Sequence, residues 1–253
     1  MNELVVASLA SFAAGFVNSI AGGGGLVSIP ILFGLFPAAP AATLFGTNKA
    51  AMVWGTLWAS GAYAKRVRLP WTMLGPALGA ALVGGFVGAW LVTQVPSDWL
   101  RRAVPFMLAA VLAYTIAVPN LGQVHAPRHE GPREAAIGTL VSLVLGFYDG
   151  FFGPGTGSFF IFGFVRLLGF DFLNAVASAK VLNTATNLAS LALFAWCGNV
   201  WWPFVLPMAV ANVAGSWLGA RLALAHGSRF IRWVFLVATA ALILKSAADA
   251  YVG

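Results

Sequence analysis

Apolar stretches, each of about 20 residues, follow one another along the whole chain. An α-helix of that length crosses ~30 Å of hydrocarbon, where the backbone finds no water and must bond within the helix. Hydrophobic residues make up 60% of the 253 positions and charged residues only 8%, against roughly 25% charged in an ordinary soluble domain. The sequence therefore predicts an all-α, multi-pass integral membrane protein of the inner (cytoplasmic) membrane.

The formal net charge of +7 does not indicate a nucleic-acid partner. The 14 Lys and Arg residues stand mostly alone or in pairs between apolar stretches, where they set the orientation of the spans. The three histidines fall in predicted loops without metal-ligand spacing, and Cys197 is the single cysteine. We expect the lipid bilayer as a partner, and neither a metal site nor a cofactor.

The sequence repeats itself after 131 residues. A shift of that length, without a gap, superposes identical residues along both halves: Glu3 on Glu134, Gly15 on Gly146, Lys49 on Lys180, Trp71 on Trp202, Gly84 on Gly215 and Arg101 on Arg232. Internal duplication is typical of secondary transporters, whose binding site lies between the two repeats. We predict a first transmembrane repeat at 1–119, a polar linker at 120–133 and a second repeat at 134–253.

Each repeat contains about five helical segments. In the first they are 4–20, 25–36, 42–63, 70–93 and 99–118, and in the second 134–151, 157–169, 174–196, 200–223 and 229–250. The second segment of each repeat is too short to cross the membrane, and glycines join it to its predecessor. We interpret the first two segments as a broken or re-entrant helix near the midplane, which leaves three further crossings per half.

An odd number of crossings predicts that the two repeats are inverted relative to each other, and the basic residues agree. One face then receives nine of them, namely Lys65, Arg66, Arg68, Arg128, Arg133, Arg166, Arg221, Arg229 and Arg232. The other face receives three, Arg101, Arg102 and Lys245. The positive-inside rule places the nine in the cytoplasm and both termini on the opposite side. If the short segments were loops instead, the halves would be parallel and the count would be six against six.

Two glycine-rich breaks interrupt the helices at equivalent positions. The first contains Asn18 and Gly22, Gly23, Gly24 and Gly25, and the second contains Asp149, Gly153, Pro154, Gly155, Thr156, Gly157 and Ser158. Irregular backbone at membrane depth is tolerated where it is buried in protein or lines a cavity. A helix that restarts after such a break directs free N–H groups and its positive dipole end into that cavity, which suits an anion. The alternative is that the glycines only allow close helix packing.

A lysine follows each break inside an apolar segment. Lys49 ends the run Gly46-Thr47-Asn48-Lys49, and Lys180 precedes Asn183 by three residues. A lysine at the membrane centre costs about 2.5–3.5 kcal/mol on insertion scales, so it indicates a functional site. Ammonium, hydroxyl and amide groups together can bind the oxygens of a tetrahedral oxyanion. Otherwise each lysine would pair with an internal acid or extend to an interface.

The predicted substrate-binding residues come from both breaks and both lysine segments: Asn18, Gly22, Gly23, Gly24, Gly25, Thr47, Asn48, Lys49, Gly153, Gly155, Thr156, Gly157, Ser158, Lys180 and Asn183. Asp149 is the one acid within a break, and the repeat aligns it with Asn18. Its carboxylate could carry a coupling proton, or it could neutralise one of the lysines. The sequence leaves these two roles open.

These glycine breaks, each with a lysine downstream, resemble the sulfite exporter TauE/SafE family of membrane permeases over essentially the whole chain. The resemblance implies transport of small sulfur-containing anions such as sulfite, sulfoacetate or related organosulfonates, driven by an ion gradient. A passive anion channel is the alternative, since it could use the same lining. An enzyme is not expected, because no segment carries a His-Glu-x-x-His motif or a catalytic pair at defined spacing. Small transporters commonly form homodimers, although the sequence locates no interface.

Overall fold

The computed structural model describes residues 2–100 and 127–252, and all regular structure within them is helical. The helices are α1 (Glu3–Ala21), α2 (Gly25–Leu35), α3 (Ala41–Ala64), α4 (Trp71–Gln94), α5 (Gly131–Phe151), α6 (Thr156–Gly163), α7 (Phe172–Trp196) and α8 (Trp202–Val252). A π-helical turn, Phe164–Leu168, extends α6. Gly227 interrupts α8 with φ of 68° and ψ of −163°.

The predicted segments match these helices to within about three residues, and α8 covers two of them with Gly227 between. The predicted segment at 99–118 lies outside the described residues except for its first two positions, and so does the linker up to residue 126. Helix α5 begins at Gly131, so the last three residues of the predicted linker are helical. Pro132 explains this start, because the first turn of a helix tolerates a residue without an N–H.

Four helices of the described ranges are long and apolar enough to cross a membrane: α1, α4, α5 and the part of α8 from Trp202 to Gly227. Helices α3 and α7 are as long, with 24 and 25 residues, but carry the two lysines and several buried polar side chains. The described part of the chain is therefore all-helical, and its long apolar helices are consistent with a multi-pass membrane protein. Its more polar helices lie inside, since the side chains of Lys49 and Lys180 are both buried.

Helix α2 folds back against α1 instead of continuing it. A Cβ placed on Gly24 would collide with the carbonyl oxygen of Ala14 and would lie 2.7 Å from the Cβ of Asn18. In a continuous helix Gly24 would be about 15 Å beyond Ala14. The reversal uses Gly22 and Gly23, whose φ values of 75° and 80° suit glycine.

The second half makes a similar reversal between α5 and α6. Gly153 and Gly155 have φ of 90° and 83°, and the hydroxyl of Tyr148 donates to the carbonyl of Pro154 over 2.7 Å. The π-helical turn then returns toward the start of α5, because the N–H of Arg128 donates to the carbonyl of Leu168 over 2.9 Å. Both glycine breaks are thus tight turns between a long helix and a short one.

The first helix of each half packs against a helix of the other half. Helix α1 packs along α8, and α5 packs along α4. Glycines make both contacts close: a Cβ on Gly84 would collide with the carbonyl of Leu143, and one on Gly215 with the carbonyl of Phe12. These two contacts are equivalent under the 131-residue repeat. One turn further along, Gly88 meets the carbonyl of Phe147 and Gly219 that of Phe16, so each packed pair runs in parallel.

Candidate functional site

The two glycine breaks touch each other at the centre of the bundle. A Cβ on Gly157 would lie 2.8 Å from the Cα of Gly22, and one on Gly25 would lie 3.2 Å from the Cα of Pro154. The hydroxyl of Ser158 donates to the carbonyl of Ala21 over 3.0 Å. The approach of Gly22 to Gly157 leaves no room for a side chain on either residue, so the breaks form one region and not two.

Each lysine contacts the break of the opposite half. The Nζ of Lys49 lies 2.7 Å from Oδ1 of Asp149 in a buried ion pair. The Nζ of Lys180 donates to Oδ1 of Asn18 over 3.3 Å. Because Asn18 and Asp149 are equivalent positions of the repeat, the two contacts are equivalent as well. They differ in one respect, which is that the first partner is a carboxylate and the second an amide.

Side chains of α7 hold the carboxylate of Asp149 in place. Its Oδ2 accepts hydrogen bonds from the hydroxyl of Thr186 and from Nδ2 of Asn183, the latter at 3.4 Å. Its Oδ1 is taken up by Lys49. Both oxygens therefore have partners, and the charged carboxylate is compensated by a cation and two neutral donors.

The amide of Asn18 is oriented by α3. Its Nδ2 donates to the hydroxyl of Thr56 over 3.2 Å, and that hydroxyl donates to the carbonyl of Met52 over 2.9 Å. This chain leaves the amide oxygen directed at Lys180. Within the described residues Lys180 makes no ion pair, and its side chain is fully buried. Two lysines thus face one aspartate, and Lys180 has no anionic partner in the described residues.

A small cavity separates the α1–α2 turn from Lys49 and Asp149. It offers about 20 Å³ to the centre of a water molecule, room for about one or two waters. Ten of the predicted site residues line it, contributed by both breaks and by α3 and α7: Asn18, Gly23, Gly24, Gly25, Asn48, Lys49, Asp149, Gly153, Gly157 and Asn183.

Six predicted residues do not line the cavity: Gly22, Thr47, Gly155, Thr156, Ser158 and Lys180. Thr47 is occupied elsewhere, because its hydroxyl donates to the carbonyl of Thr43 over 2.7 Å and accepts from the N–H of Trp201 over 2.9 Å. The hydroxyl of Thr156 donates to the carbonyl of Gly153 over 2.8 Å. A hydroxyl has a single hydrogen to donate, so neither is free to bind a ligand in this conformation.

Five lining residues escaped the sequence analysis: Ile29, Phe45, Met52, Phe152 and Asn187. Helical spacing could have found two of them on α3, since Phe45, Asn48, Lys49 and Met52 follow the i, i+3, i+4, i+7 pattern of one helix face. The same rule applies to α7, where Asn187 is seven residues after Lys180. Ile29 and Phe152 carry no such signal, because only the fold brings them to the cavity.

Asn48 contributes an unused hydrogen-bonding group to the lining. Its Nδ2 lies 3.3 Å from the sulfur of Met52, and its Oδ1 is buried without a partner in the described part of the chain. Rotation of this amide by half a turn would direct the NH₂ where the oxygen now lies. The described residues hold no group of three or more His, Cys, Asp or Glu side chains that could bind a metal ion. The chemistry available is binding through cations and amides.

Comparison with known proteins gives consistent matches. A model of the family described as sulfite exporter TauE/SafE matches residues 7–246. "Probable membrane transporter protein ORF9" of Sinorhizobium sp is 39% identical over 241 residues, which cover 95% of this chain and 91% of the relative. A "Probable membrane transporter protein" of Haemophilus influenzae is 36% identical over 97% of this chain and 95% of its own length. YfcA of Escherichia coli K12, with the same description, is 35% identical over 94% and 87%.

Proposed function

Since the chain belongs to the sulfite exporter TauE/SafE family, whose members here are membrane transporters and not enzymes, we propose that it is a secondary transporter of small sulfur-containing anions. Sulfite, sulfoacetate and related organosulfonates are the substrates we propose. The observation that carries this proposal is that each lysine contacts the break of the opposite half and that Lys180 has no anionic partner in the part of the chain that the structure describes. A bound anion would supply that partner.

In the proposed complex the anion lies between the two lysines. Lys49 and Lys180 supply charge, while the amides of Asn48 and Asn183 donate hydrogen bonds to its oxygens. Gly24 and Gly25, at the start of α2, line the same cavity, so the positive end of the helix dipole would also favour the anion. Gly153 and Gly157 keep the opposite wall free of side chains.

Asp149 is the proposed coupling residue, because it competes with the anion for Lys49. While it is ionised, its carboxylate is the partner of that lysine. A proton bound to Asp149 would remove the negative charge and release Lys49 for the anion. The anion and the proton would then occupy the site together, which couples transport to the proton gradient.

Alternating access fits the size of the cavity. A sulfur oxyanion is larger than a water molecule, and about 20 Å³ does not accommodate it. The site must therefore open for the anion to enter, which favours a carrier over a channel with a permanent path. Rocking of the two repeats around the lysines is the motion we propose.

Inverted repeats are the arrangement that the helix contacts support. Helix α8 runs parallel to α1, as the pairs Phe12–Gly215 and Phe16–Gly219 indicate, and parallel to α3, as the pairs Gly46–Asn199 and Gly55–Asn212 indicate. A turn of six residues, 65–70, reverses the chain into α4, and α5 runs parallel to α4. Helices α1 and α5, which begin the two repeats, would then point in opposite directions.

Chemical labelling can test this arrangement with the native cysteine. Cys197 is exposed at the end of α7, and the 131-residue repeat aligns it with exposed Arg66. A membrane-impermeant maleimide applied to intact spheroplasts should label native Cys197. It should not label Arg66→Cys in a Cys197→Ser background until the membrane is opened. Labelling of both from the same side would contradict inverted repeats.

The proposed substrate class can be tested in two steps with the purified protein. A thermal-stability screen against sulfite, sulfoacetate, other sulfonates, sulfate, phosphate and carboxylates should show the largest shifts with sulfur anions. Proteoliposomes should then accumulate the best anion under an inward proton gradient, and anion loaded on the far side should accelerate uptake, as expected of a carrier. Stabilisation by carboxylates alone would contradict the substrate class. Electrogenic flux without such acceleration would favour a channel.

A further inference from the structure

A second, larger cavity lies on the outer surface of the bundle, away from the two breaks. It has a volume of about 850 Å³ and lies between the last turns of α3, the middle of α8 and the start of α7. This volume falls in the range of sites for small ligands. We call it the basic groove; the residues that define it for the argument are Leu57, Trp58, Lys65, Arg66, Trp217 and Arg221.

The basic groove has an apolar wall and a charged end. Leu57, Trp58 and Trp217 are 49%, 38% and 46% exposed, which in a membrane protein places them against lipid. The guanidinium of Arg221 lies 5.6 Å from the ring centroid of Trp217, close enough for a cation–π interaction that holds it over the groove. None of the described residues that line the groove is acidic.

Comparison of the two repeats distinguishes the apolar wall of the groove from its charged end. Two of its three apolar wall residues recur in the other half, where Leu188 and Phe86 occupy the positions equivalent to Leu57 and Trp217 with 47% and 48% exposure. The third, Trp58, aligns with buried Ala189. The cations do not recur. Trp196, Cys197 and Trp90 stand at the positions equivalent to Lys65, Arg66 and Arg221, and all three are exposed.

We propose that the basic groove binds one anionic phospholipid from the leaflet that contains the 65–70 turn. The acyl chains would lie along Leu57, Trp58 and Trp217, and the headgroup phosphate would contact Lys65, Arg66 and Arg221. The positive-inside rule explains why cations lie on this face of the membrane. It does not explain why three of them lie together at the end of an apolar groove. The equivalent face of the other half lacks these charges, so we expect no headgroup selection there.

The test is native mass spectrometry of the delipidated protein titrated with phosphatidylglycerol or phosphatidylcholine. The variant Lys65→Gln, Arg66→Gln, Arg221→Gln should lose about 10- to 100-fold in affinity for phosphatidylglycerol. The control Arg68→Gln, Arg128→Gln, Arg133→Gln removes the same charge from exposed residues outside the groove and should bind like the wild type. Phosphatidylcholine should bind more weakly and without difference among the three proteins.

Three outcomes would overturn the lipid site. Equal losses in the two triple variants would mean that net charge alone attracts the lipid. Displacement of phosphatidylglycerol by an equal concentration of inorganic phosphate would mean that the apolar wall contributes nothing. A change from dimer to monomer in the groove variant, with unchanged lipid binding, would assign the groove to a second copy of the chain. Arg221→Gln alone should already weaken binding, which guards against misfolding of the triple variant.

Discussion

The two halves bury a lysine in the same way but neutralise it differently. Lys49 meets a carboxylate across the bundle, and Lys180 meets an amide oxygen at the equivalent place. A buried ion pair offsets its own desolvation only while both partners are present. Lys49 therefore already has an anionic partner, whereas Lys180 has none among the described side chains. In a binding site for an anion, Lys49 would bind only after Asp149 is protonated, whereas Lys180 would bind without such a step.

The largest expected effect is on stability, and it should distinguish the two lysines. Lys49→Ala leaves Asp149 buried without its cation, at a cost of about 3–5 kcal/mol. Lys180→Ala leaves no unpaired charge, so its thermal midpoint in detergent should fall far less. Asp149→Asn introduced into Lys49→Ala should restore most of the lost midpoint. Equal thermal midpoints of the two single variants would mean that the Lys49–Asp149 ion pair contributes no more to stability than the Lys180–Asn18 contact.

Anion affinity should respond to both lysines. Removal of either one takes away a charge-assisted hydrogen bond of roughly 1.5–3 kcal/mol, which lowers affinity by more than about tenfold. Calorimetric titration with the anion selected by the stability screen measures both effects. Lys180→Ala is compared with the wild type, and the stabilised Lys49→Ala, Asp149→Asn protein is compared with Asp149→Asn alone. Arg68→Gln is the control for a lost surface charge. Unchanged affinity in both lysine variants would exclude a site formed by the pair.

The contact between the breaks should tolerate no side chain. Gly22→Ala would meet the backbone of Gly157 and would force an unfavourable φ of 75°, which costs about 1–3 kcal/mol. Gly34→Ala is the matched control, because nothing lies within 4 Å of its Cβ position in α2. The control should be neutral or slightly stabilised. A Gly22→Ala protein as stable as this control would show that the breaks are not packed together.

Glycine substitutions at the two interhelical contacts test whether the halves are equivalent in packing. Gly84→Ala and Gly215→Ala each place a methyl group against a carbonyl of the neighbouring helix. Both should lower the thermal midpoint by similar amounts, corresponding to about 1–3 kcal/mol. Gly79→Ala, with open space around it, should not. A large effect in one half only would mean that the repeat in sequence is not a repeat in packing.

The length and position of the apolar stretches predicted the described helices well, because span length follows from membrane thickness. The two breaks were also predictable, since runs of glycine cannot continue a helix cheaply. The partner of each lysine was not. The repeat aligns Lys49 with Lys180 and Asn18 with Asp149, but it does not reveal that each lysine crosses to the other half. That information lies in the packing of α1 on α8 and α5 on α4, which depends on contacts between residues far apart in the chain.

Hydroxyl and amide residues were the least predictable part of the site. Thr47 stands next to Asn48 and Lys49, yet its hydroxyl joins α3 to the start of α8. Thr186, which is not among the predicted binding residues, donates a hydrogen bond to Asp149. A hydroxyl in a helix can bond its own backbone or a neighbouring helix, and the sequence does not distinguish these uses.

The central claim is that uncompensated positive charge between the breaks binds the anion. It is tested most directly by changing the number of acids at the two equivalent positions. At positions 18 and 149 together, the Asp149→Asn variant has no acid, the wild type has one and the Asn18→Asp variant has two. Calorimetric titration of the three proteins with the same anion should give affinities that fall by about tenfold with each added acid. Equal affinity of Asn18→Asp and the wild type, with both proteins folded, would contradict the claim.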